Sequence, residues 1–376
     1  MECSDRRKHG GNIVAAEAKY GLPAESFIDF SASINPLGVP RPVREAVISN
    51  LHLLMQYPDP SASVLRQAIG EFLGVSPEHI IAGNGASELI YLAARVLKPK
   101  RALLLHPTFG EYGPAVVAAG GTQEVLLLPP ETGFHLELRE LTQLPQLKGI
   151  DLIFLCNPNN PTGRTWTREE VLELVYWAAP RGIEVVVDEA FMDFVDDSSQ
   201  RQVVGWAPGC PNLLVLRSLT KVFALAGLRL GYAVGRQSLI ERLGFSRDPW
   251  SVNWLAQVAG VAALADQDYL LRTRQWIKEE RKHLYHELRR LPDLEVWPTE
   301  ANYFLLRLNG ETTVHQLMQH LGPRGILVRN GSSFPGLGPQ YFRVAVRTRA
   351  ENQRLVEELK IFLSDPSRYN TKENPQ

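Results

Sequence analysis

Short apolar runs alternate with amphipathic segments along most of the chain. Five of the apolar runs have the length of buried strands: 79–82, 101–105, 151–156, 184–188 and 213–217. Helical periodicity is found between them, at 87–97, at 112–119 and from Thr167 to about Ala179. Thr167 and Glu170 have capping-box spacing, which is typical of a helix start. Apolar strands separated by helices predict an α/β fold, with a mostly parallel sheet flanked by helices.

The pattern changes after Pro249. A long helical stretch at 251–291, interrupted near Asp266, is followed by four runs that predict strands, at 294–297, 303–308, 326–329 and 342–346. This order predicts a smaller α+β domain at the C-terminal end. We therefore divide the chain into an N-terminal arm that contributes to the substrate site (1–35), a large domain (36–248), a small domain (249–364) and a polar, disordered tail (365–376).

The composition is that of an ordinary globular protein. The 376 residues are 44% hydrophobic and carry a formal net charge of −1, so neither a nucleic acid nor a membrane is expected as a partner. No apolar run reaches the ~20 residues that a membrane helix needs, and the polar N-terminus does not resemble a secretory signal. Cys3, Cys156 and Cys210 are typical of reduced thiols in a cytoplasmic protein. We expect no metal site.

Candidate functional residues follow the predicted strands. In a parallel sheet, ligands collect at the carboxyl ends of the strands. The segments expected there are 83–87, 107–109, Asn157, Asp188 and 218–221. The glycine-rich turn 83–87 opens a helix, whose first backbone N–H groups form an anion site. This turn is a weak signal alone, because it lacks the spacing of a dinucleotide-binding fingerprint.

The segment 218–232 carries the most specific signal. Lys221 lies close to Ser218 and Thr220, and Arg229 follows further along. A lysine amine can form an imine with an aldehyde, while hydroxyl groups and an arginine can bind phosphate oxygens. The segment therefore predicts a site for an aldehyde cofactor that carries a phosphate. A surface lysine beside a strand is the alternative, which the residues upstream disfavour.

Two side chains upstream fit a pyridine ring. Asp188 ends an apolar strand, where a carboxylate needs a cationic partner, and a protonated pyridine nitrogen is such a partner. Asn157 can donate to the phenolic oxygen of the ring. Phe109 or Tyr112 can stack on its face. The plainer alternatives are a turn cap for Asp188, a turn for Asn157 and the hydrophobic core for the aromatic rings.

These residues together resemble the pyridoxal-phosphate enzymes of fold type I, in the class I and II aminotransferase family, over nearly the whole chain. The resemblance implies pyridoxal 5′-phosphate as cofactor, with Lys221 as the Schiff-base lysine, Asp188 at the pyridine nitrogen and Asn157 at the phenolic oxygen. The phosphate contacts that it implies come from Gly85, Ala86, Ser87, Ser218, Thr220 and Arg229. Tyr57 matches a tyrosine that reaches the cofactor of the neighbouring subunit, which implies a homodimer with shared active sites.

Within the family, three features separate the threonine-phosphate decarboxylases from the histidinol-phosphate aminotransferases. The sequences at 9–12 and at 29–38 resemble those of the decarboxylases. Phe191 stands where aminotransferases commonly carry a tyrosine that donates to the phenolic oxygen. Without that donor, the cofactor imine should hold its proton to higher pH. A flexible tail at His9 and simple drift at position 191 are the alternatives.

The resemblance also assigns substrate contacts, which are His9, Gly10, Asn35, Asn157, Arg329 and Arg343. Arg343 matches the arginine that binds the α-carboxylate, which the two asparagines share. Arg329 matches the arginine that binds the distal phosphate, together with the two N-terminal residues. Arg347 and Arg349 are close in sequence, so the choice of Arg343 rests on the motif. The alternative for each arginine is a surface position.

The resemblance thus implies decarboxylation of O-phospho-L-threonine to (R)-1-amino-2-propanol O-phosphate, in cobalamin biosynthesis. Lys221 is the expected donor of the proton that returns to Cα, with a water or Tyr112 as alternatives. Two other functions stay open. One is an aminotransferase of histidinol phosphate or an aromatic amino acid, and the other is a non-catalytic regulator that binds pyridoxal phosphate.

Overall fold

A computed structural model describes residues 9–365 of the chain. These residues form two compact units. The larger unit comprises Ile34–Asn160 and Arg164–Arg274, and the smaller unit comprises the chain up to Ser33, Pro161–Gly163 and the chain from Gln275 onward. Apart from Asp365, the expected tail 365–376 lies outside the described residues, as do residues 1–8 of the expected arm.

The described helices follow the amphipathic segments. They are α1 (Ile13–Tyr20), α2 (Arg41–Ser49), α3 (Ser63–Leu73), α4 (Gly85–Leu97), α5 (Tyr112–Ala118), α6 (Leu138–Leu141), α7 (Arg168–Ala178), α8 (Ser198–Arg201), α9 (Leu219–Val222), α10 (Gln237–Ser246), α11 (Trp254–Ala265), α12 (Gln267–Arg289), α13 (Val314–Leu321) and α14 (Arg349–Ser364). The predicted capping box at the start of α7 is present, with Thr167 and Glu170 bonded to each other's backbone N–H.

The described strands include all of the runs predicted from the sequence. They are β1 (Ile28–Asp29), β2 (Ile80–Asn84), β3 (Arg101–His106), β4 (Thr122–Leu127), β5 (Leu152–Cys156), β6 (Glu184–Asp188), β7 (Leu213–Ser218), β8 (Leu230–Gly235), β9 (Leu294–Val296), β10 (Tyr303–Leu308), β11 (Ile326–Leu327), β12 (Arg329–Asn330) and β13 (Tyr341–Ala345). The run predicted as one strand at 326–329 is split into β11 and β12, which belong to different sheets.

The larger unit is built on a seven-stranded sheet of order β2-β8-β7-β6-β5-β3-β4. β7, β6, β5, β3 and β4 are parallel, whereas β8 runs antiparallel to both of its neighbours. The predicted mostly parallel sheet is therefore confirmed. Because parallel strands end at one edge, the residues that follow β2, β3, β5, β6 and β7 gather there.

One core cluster of the larger unit lies between this sheet and the helices α4, α5 and α10. Leu89, Ile90 and Ala93 of α4 are buried against strand residues such as Phe154 and Val186. Complete burial of one such aliphatic side chain stabilises the fold by about 1.5–3 kcal/mol. The burial of many such side chains stabilises the strands whose ends carry the candidate residues.

The helical stretch predicted at 251–291 is indeed interrupted at Asp266. This residue follows α11, and its carboxylate accepts the backbone N–H of Tyr269 at 3.0 Å, in the first turn of α12. α11 packs on α2 and α3 of the larger unit. The units therefore divide at Arg274, inside α12, whereas the sequence suggested a boundary at 248/249. The sequence pattern marks where helices begin but not which helices they pack against.

The smaller unit contains two sheets. β12-β13-β10-β9 is an antiparallel sheet, and β1 pairs in parallel with β11. Together with α13 and α14 this is the predicted α+β arrangement. No helix within residues 9–365 has both the length and the apolar character that a membrane crossing requires.

Candidate active site

Lys221 lies in α9, directly after the buried end of β7. Its side chain is partly exposed, and Nζ lies 5.9 Å from the centre of the Phe191 ring. The backbone around it is fixed by Asn35, whose N–H donates to the carbonyl of Lys221 at 3.1 Å and whose Nδ2 donates to the carbonyl of Val222 at 2.8 Å. The amine is therefore presented from a firmly held turn.

Asn35 is almost completely buried and bonds at both ends of its side chain. Besides Val222, Nδ2 lies within hydrogen-bond distance of Thr273 Oγ1 (2.9 Å) and of the Tyr269 hydroxyl (3.0 Å), and Oδ1 accepts the N–H of Leu37. Sequence reasoning assigned Asn35 to the substrate carboxylate, and that contact stays a prediction. The structure adds a role that was missed, which is to position the lysine turn.

Asp188 ends β6 and is 4% exposed. Its Oδ2 accepts the hydroxyl of Tyr112 at 2.8 Å, and its Oδ1 accepts the N–H of Ala190 at 3.0 Å. Burial raises the pKa of Asp188, while the Tyr112 and Ala190 hydrogen bonds and the charge of Lys221 act in the opposite direction. These three groups favour the ionised carboxylate, which is the form that a pyridinium nitrogen needs.

Tyr112 and Phe109 have different roles. The Tyr112 ring is fully buried and stacks on Phe154, with centroids 4.9 Å apart. Burial and the charge of Asp188 raise the pKa of Tyr112 well above its usual value. Its donated hydroxyl and covered ring disfavour Tyr112 both as proton donor and as stacking partner. Phe109 is half-buried and meets Tyr112 edge-on, so the structure favours Phe109 for the ring face.

The predicted phosphate residues of the glycine turn form the first turn of α4. Gly85, Ala86 and Ser87 start this helix, where backbone N–H groups point outward without partners inside the helix. Gly85 has φ +77°, and a Cβ placed on it would lie 2.8 Å from Nη2 of Arg229. The missing side chain therefore leaves room for the guanidinium beside the helix start, which suits a phosphate held by both.

Ser218, at the end of β7, and Thr220, in α9, are both buried. Thr220 Oγ1 donates to the carbonyl of Leu230 at 3.2 Å, which ties α9 to β8. A Cβ on Gly231 of β8 would lie 2.6 Å from the backbone N of Ala86. Only glycine allows β8 to approach the start of α4 this closely. The phosphate residues predicted from three separate segments thus lie on elements that pack together.

Asn157 follows β5 and is fully buried. Its side chain donates to the carbonyl of Trp166 at 3.2 Å and accepts the N–H of Trp166 at 3.0 Å. Its backbone N–H bonds to the carbonyl of Asp188. Asn157 therefore stabilises its own turn, and its second amide proton is the one that a phenolic oxygen would accept. That contact stays a prediction.

A buried ion cluster behind the site was not predicted. Arg217, 2% exposed, contacts Glu189 at 3.0 Å and Asp193 at 2.6 Å. Glu189 directly follows Asp188, and Arg217 directly precedes Ser218. The cluster therefore joins the ends of β6 and β7. The sequence shows these charges beside the candidate residues, but no spacing indicates that they pair with each other.

The larger unit thus fits pyridoxal phosphate on its own residues. It offers an amine, a buried carboxylate at a strand end, a half-buried aromatic ring and a helix start with an adjacent arginine. Tyr57, predicted to act in a neighbouring subunit, is 78% exposed and packs against Trp250 with ring centroids 4.7 Å apart.

The smaller unit carries two buried arginines side by side. Arg329 of β12 and Arg343 of β13 are direct partners in the antiparallel register, and they are 9% and 6% exposed. Burial and the charge of Arg343 lower the pKa of Arg329 to about 10. Burial also lowers the pKa of Arg343, against the influence of Tyr303 and Asp29. Like charges opposite each other destabilise a sheet, so this pair is arranged for an anionic ligand.

The neighbouring arginines are engaged elsewhere. Arg347 contacts Glu351 at 2.7 Å, and Arg349 contacts Glu280 at 2.8 Å. Both charges are thereby balanced within the smaller unit. This difference supports the choice of Arg343, which on sequence rested on the motif alone.

Replacing Arg343 should therefore damage substrate binding far more than replacing Arg347. We expect Arg343→Gln to lower kcat/KM by about 10- to 150-fold, as the loss of a hydrogen bond to a charged group costs about 1.5–3 kcal/mol. Arg347→Gln, the matched control, removes the ion pair with Glu351 and a hydrogen bond to the carbonyl of Asp29, and it should change kcat/KM by less than about fivefold. Steady-state kinetics of both variants checks this. Equal losses would contradict the assignment.

The N-terminal segment of the smaller unit packs on residues 29–31. A Cβ on Gly10 would lie 2.1 Å from the carbonyl oxygen of Ser31, so only glycine fits there. The N–H of Gly11 donates to Ser31 Oγ at 2.8 Å. The segment that begins with His9 is therefore attached to a defined place at Gly10 and Gly11. His9 itself is exposed.

A family model, aminotransferase class I and II, matches residues 25–359. The chain belongs to this family. Class I and II aminotransferases use pyridoxal 5′-phosphate, the cofactor that the site residues fit. The predicted fold type is confirmed by the sheet order and by the family match.

This member of the family is similar to proteins of two activities. It is 39% identical to the threonine-phosphate decarboxylase of Salmonella typhimurium, over 95% of this chain and 96% of that protein. It is 35% identical to a histidinol-phosphate aminotransferase of Desulfitobacterium hafniense, over 88% of this chain and 91% of that protein. The crystal structure of L-threonine-O-3-phosphate decarboxylase from Porphyromonas gingivalis superposes with a TM-score of 0.80 at 27% identity, covering 89% of this chain and 99% of that one.

Proposed function

We propose that the protein decarboxylates O-phospho-L-threonine with pyridoxal phosphate, giving carbon dioxide and (R)-1-amino-2-propanol O-phosphate for cobalamin biosynthesis. The observation that carries the proposal is the buried pair Arg329 and Arg343 on neighbouring strands. Two adjacent cations suit a substrate with two anionic groups, and phosphothreonine has a carboxylate and a phosphate. The similarity to the Salmonella decarboxylase supports the same substrate.

Each predicted residue has a distinct task in this reaction. Bound pyridoxal phosphate supplies a ring that accepts electrons from the bond that breaks. Asp188, whose ionised form is favoured by the hydrogen bonds from Tyr112 and Ala190, would balance a positive charge at the ring nitrogen. Arg343 binds the carboxylate until it leaves as carbon dioxide, and Lys221 then returns a proton to Cα.

Phe191 supports decarboxylation over amino transfer. Its buried ring lies 5.9 Å from the lysine nitrogen and has no hydroxyl to donate. A tyrosine at this position would add a donor beside the cofactor oxygen. Asn157 is then the predicted donor to that oxygen.

The test is a direct comparison of two products. Purified protein loaded with pyridoxal phosphate is given phosphothreonine, and carbon dioxide is measured with and without 2-oxoglutarate. We expect carbon dioxide and aminopropanol phosphate in both cases, with no keto acid. Keto-acid formation that requires 2-oxoglutarate, without carbon dioxide, would instead establish an aminotransferase. Cofactor absorbance without any turnover would indicate the non-catalytic regulator.

We further infer that the protein is a cytoplasmic homodimer with shared active sites. Leu54, Met55 and Tyr57 are 65%, 93% and 78% exposed, and together they make one short segment unusually apolar for a surface. A second copy that covered this segment would bring Tyr57 towards the cofactor of its partner. Sedimentation analysis should give twice the chain mass of 42.1 kDa, and a monomer that retains full activity would contradict the shared site.

A further inference from the structure

We propose that Ser31 is a positioning residue that joins the segment 9–11, which carries the predicted phosphate contacts His9 and Gly10, to Arg343, the predicted carboxylate contact, and thereby sets the spacing between the two anionic ends of the substrate. The inference rests on the proposed function and explains how the site would select its substrate. All of the contacts that carry it lie within the smaller unit.

The hydroxyl of Ser31 connects two backbone segments. Ser31 Oγ accepts the N–H of Gly11 at 2.8 Å and donates to Asp29 Oδ1 at 2.5 Å. The same carboxylate oxygen accepts the N–H of Ser31 at 2.8 Å. Because Oγ both donates and accepts, the orientation of the hydroxyl is fixed by its two partners. Alanine at this position would release the N–H of Gly11.

The carbonyl of Ser31 is the second connection. It accepts Nη2 of Arg343 at 2.9 Å, in a buried hydrogen bond. The carbonyl also marks the closest approach of Gly10, where a Cβ would lie 2.1 Å from this oxygen. Ser31 therefore contacts the glycine segment through its side-chain bond to Gly11 and through its carbonyl beside Gly10, and the same carbonyl contacts Arg343.

Phe30, the residue before Ser31, is held by two backbone hydrogen bonds. The N–H of Phe30 donates to the carbonyl of Leu327 at 2.8 Å, and the carbonyl of Phe30 accepts the N–H of Ala345 at 2.8 Å. Phe30 is fully buried. Ser31 is thereby fixed between the chain that leads to Arg329 and the strand that carries Arg343.

A fixed spacing selects substrates by length. An amino acid with a phosphate on its β-carbon places its two anions a few bonds apart, and both must bind at once. Loss of the hydroxyl frees the glycine segment while Arg343 keeps its carbonyl partner. The phosphate end should therefore weaken selectively, and the chemical step at the carboxylate end should proceed as before.

The test compares Ser31→Ala with Ser33→Ala in the enzyme loaded with its cofactor. Ser33 is 1% exposed, and its Oγ has no hydrogen-bond partner among the described residues, so it is a matched control. For Ser31→Ala we expect KM for phosphothreonine and the inhibition constant of inorganic phosphate to rise about tenfold each, with kcat changed less than about twofold. Ser33→Ala should match the wild type.

Three results would overturn the inference. The first is equal kinetics of Ser31→Ala and Ser33→Ala, and the second is a fall in kcat of Ser31→Ala with its KM unchanged. The third is a loss of phosphate affinity in Ser31→Thr as large as in Ser31→Ala, because threonine keeps the hydroxyl. Calorimetric titration of inorganic phosphate decides the role of Ser31 even where the wild type fails to decarboxylate phosphothreonine. Failure of that reaction in the wild type would reject the proposed function alone.

Discussion

Lys221→Ala should reduce turnover of phosphothreonine by more than about a thousandfold, since it removes both the amine that anchors the cofactor and the group that returns the proton to Cα. Borohydride reduction followed by peptide mass spectrometry gives a second readout. In the wild type, the reduced cofactor should be found on the peptide that contains Lys221. In the variant, that peptide cannot carry it.

An exposed lysine provides the control for this experiment. Lys100 precedes β3 on the surface of the larger unit, and Lys100→Ala should retain wild-type turnover and the labelled peptide. Added amines of small size should restore part of the turnover of Lys221→Ala, because they replace the missing proton carrier. A cofactor label on any other lysine of the wild type would refute the assignment.

The strands of the larger unit could be predicted because most of them are buried on both faces. β5 is a continuous apolar run, and β6 and β7 are apolar over three and four successive residues; such runs predict strands of a covered parallel sheet. β4 was missed because its side chains are mostly exposed, with two exceptions that are only half-buried. β8 was missed because its sequence, Leu-Gly-Tyr-Ala-Val-Gly, begins and ends around glycines that disfavour strands in general.

The candidate residues could be predicted from their positions after the predicted strands, but their hydrogen-bond partners could not. Asp188 at a strand end suggested a ring nitrogen, yet nothing in the sequence links it to Tyr112, 76 positions away. Likewise, Ser31 was part of a recognised motif, but its contact with Arg343 spans 312 positions. Strand order and register bring such residues together, and single-chain periodicity does not contain that information.

Asp188→Asn should bind pyridoxal phosphate more weakly and lower kcat by about two to four orders of magnitude. The amide keeps the shape of the side chain but cannot balance a positive ring nitrogen, and removing one partner of a buried ion pair costs about 3–5 kcal/mol. Fluorescence titration of the ligand-free protein gives the affinity. Glu111→Gln is a matched control, because Glu111 is also buried and also accepts a tyrosine hydroxyl, from Tyr91 at 2.6 Å. It should leave both quantities near the wild-type values.

The same substitution should make the ligand-free protein more stable at neutral pH. Burial raises the pKa of Asp188 above its ordinary value of 3.8, although Tyr112, Ala190 and Lys221 oppose the shift. A carboxyl group with a raised pKa stabilises the fold below its unfolded pKa, and this contribution is lost as the pH rises through the folded value. Above that value the empty site holds a buried charge that asparagine lacks. We therefore expect the Tm of ligand-free Asp188→Asn to exceed that of the wild type at pH 7 to 8. The two Tm values should converge near pH 4. Added cofactor should raise the Tm of the wild type more than that of the variant. A variant that is less stable than the wild type without cofactor would show that Asp188 supports the fold, and would contradict a site that sacrifices stability for binding.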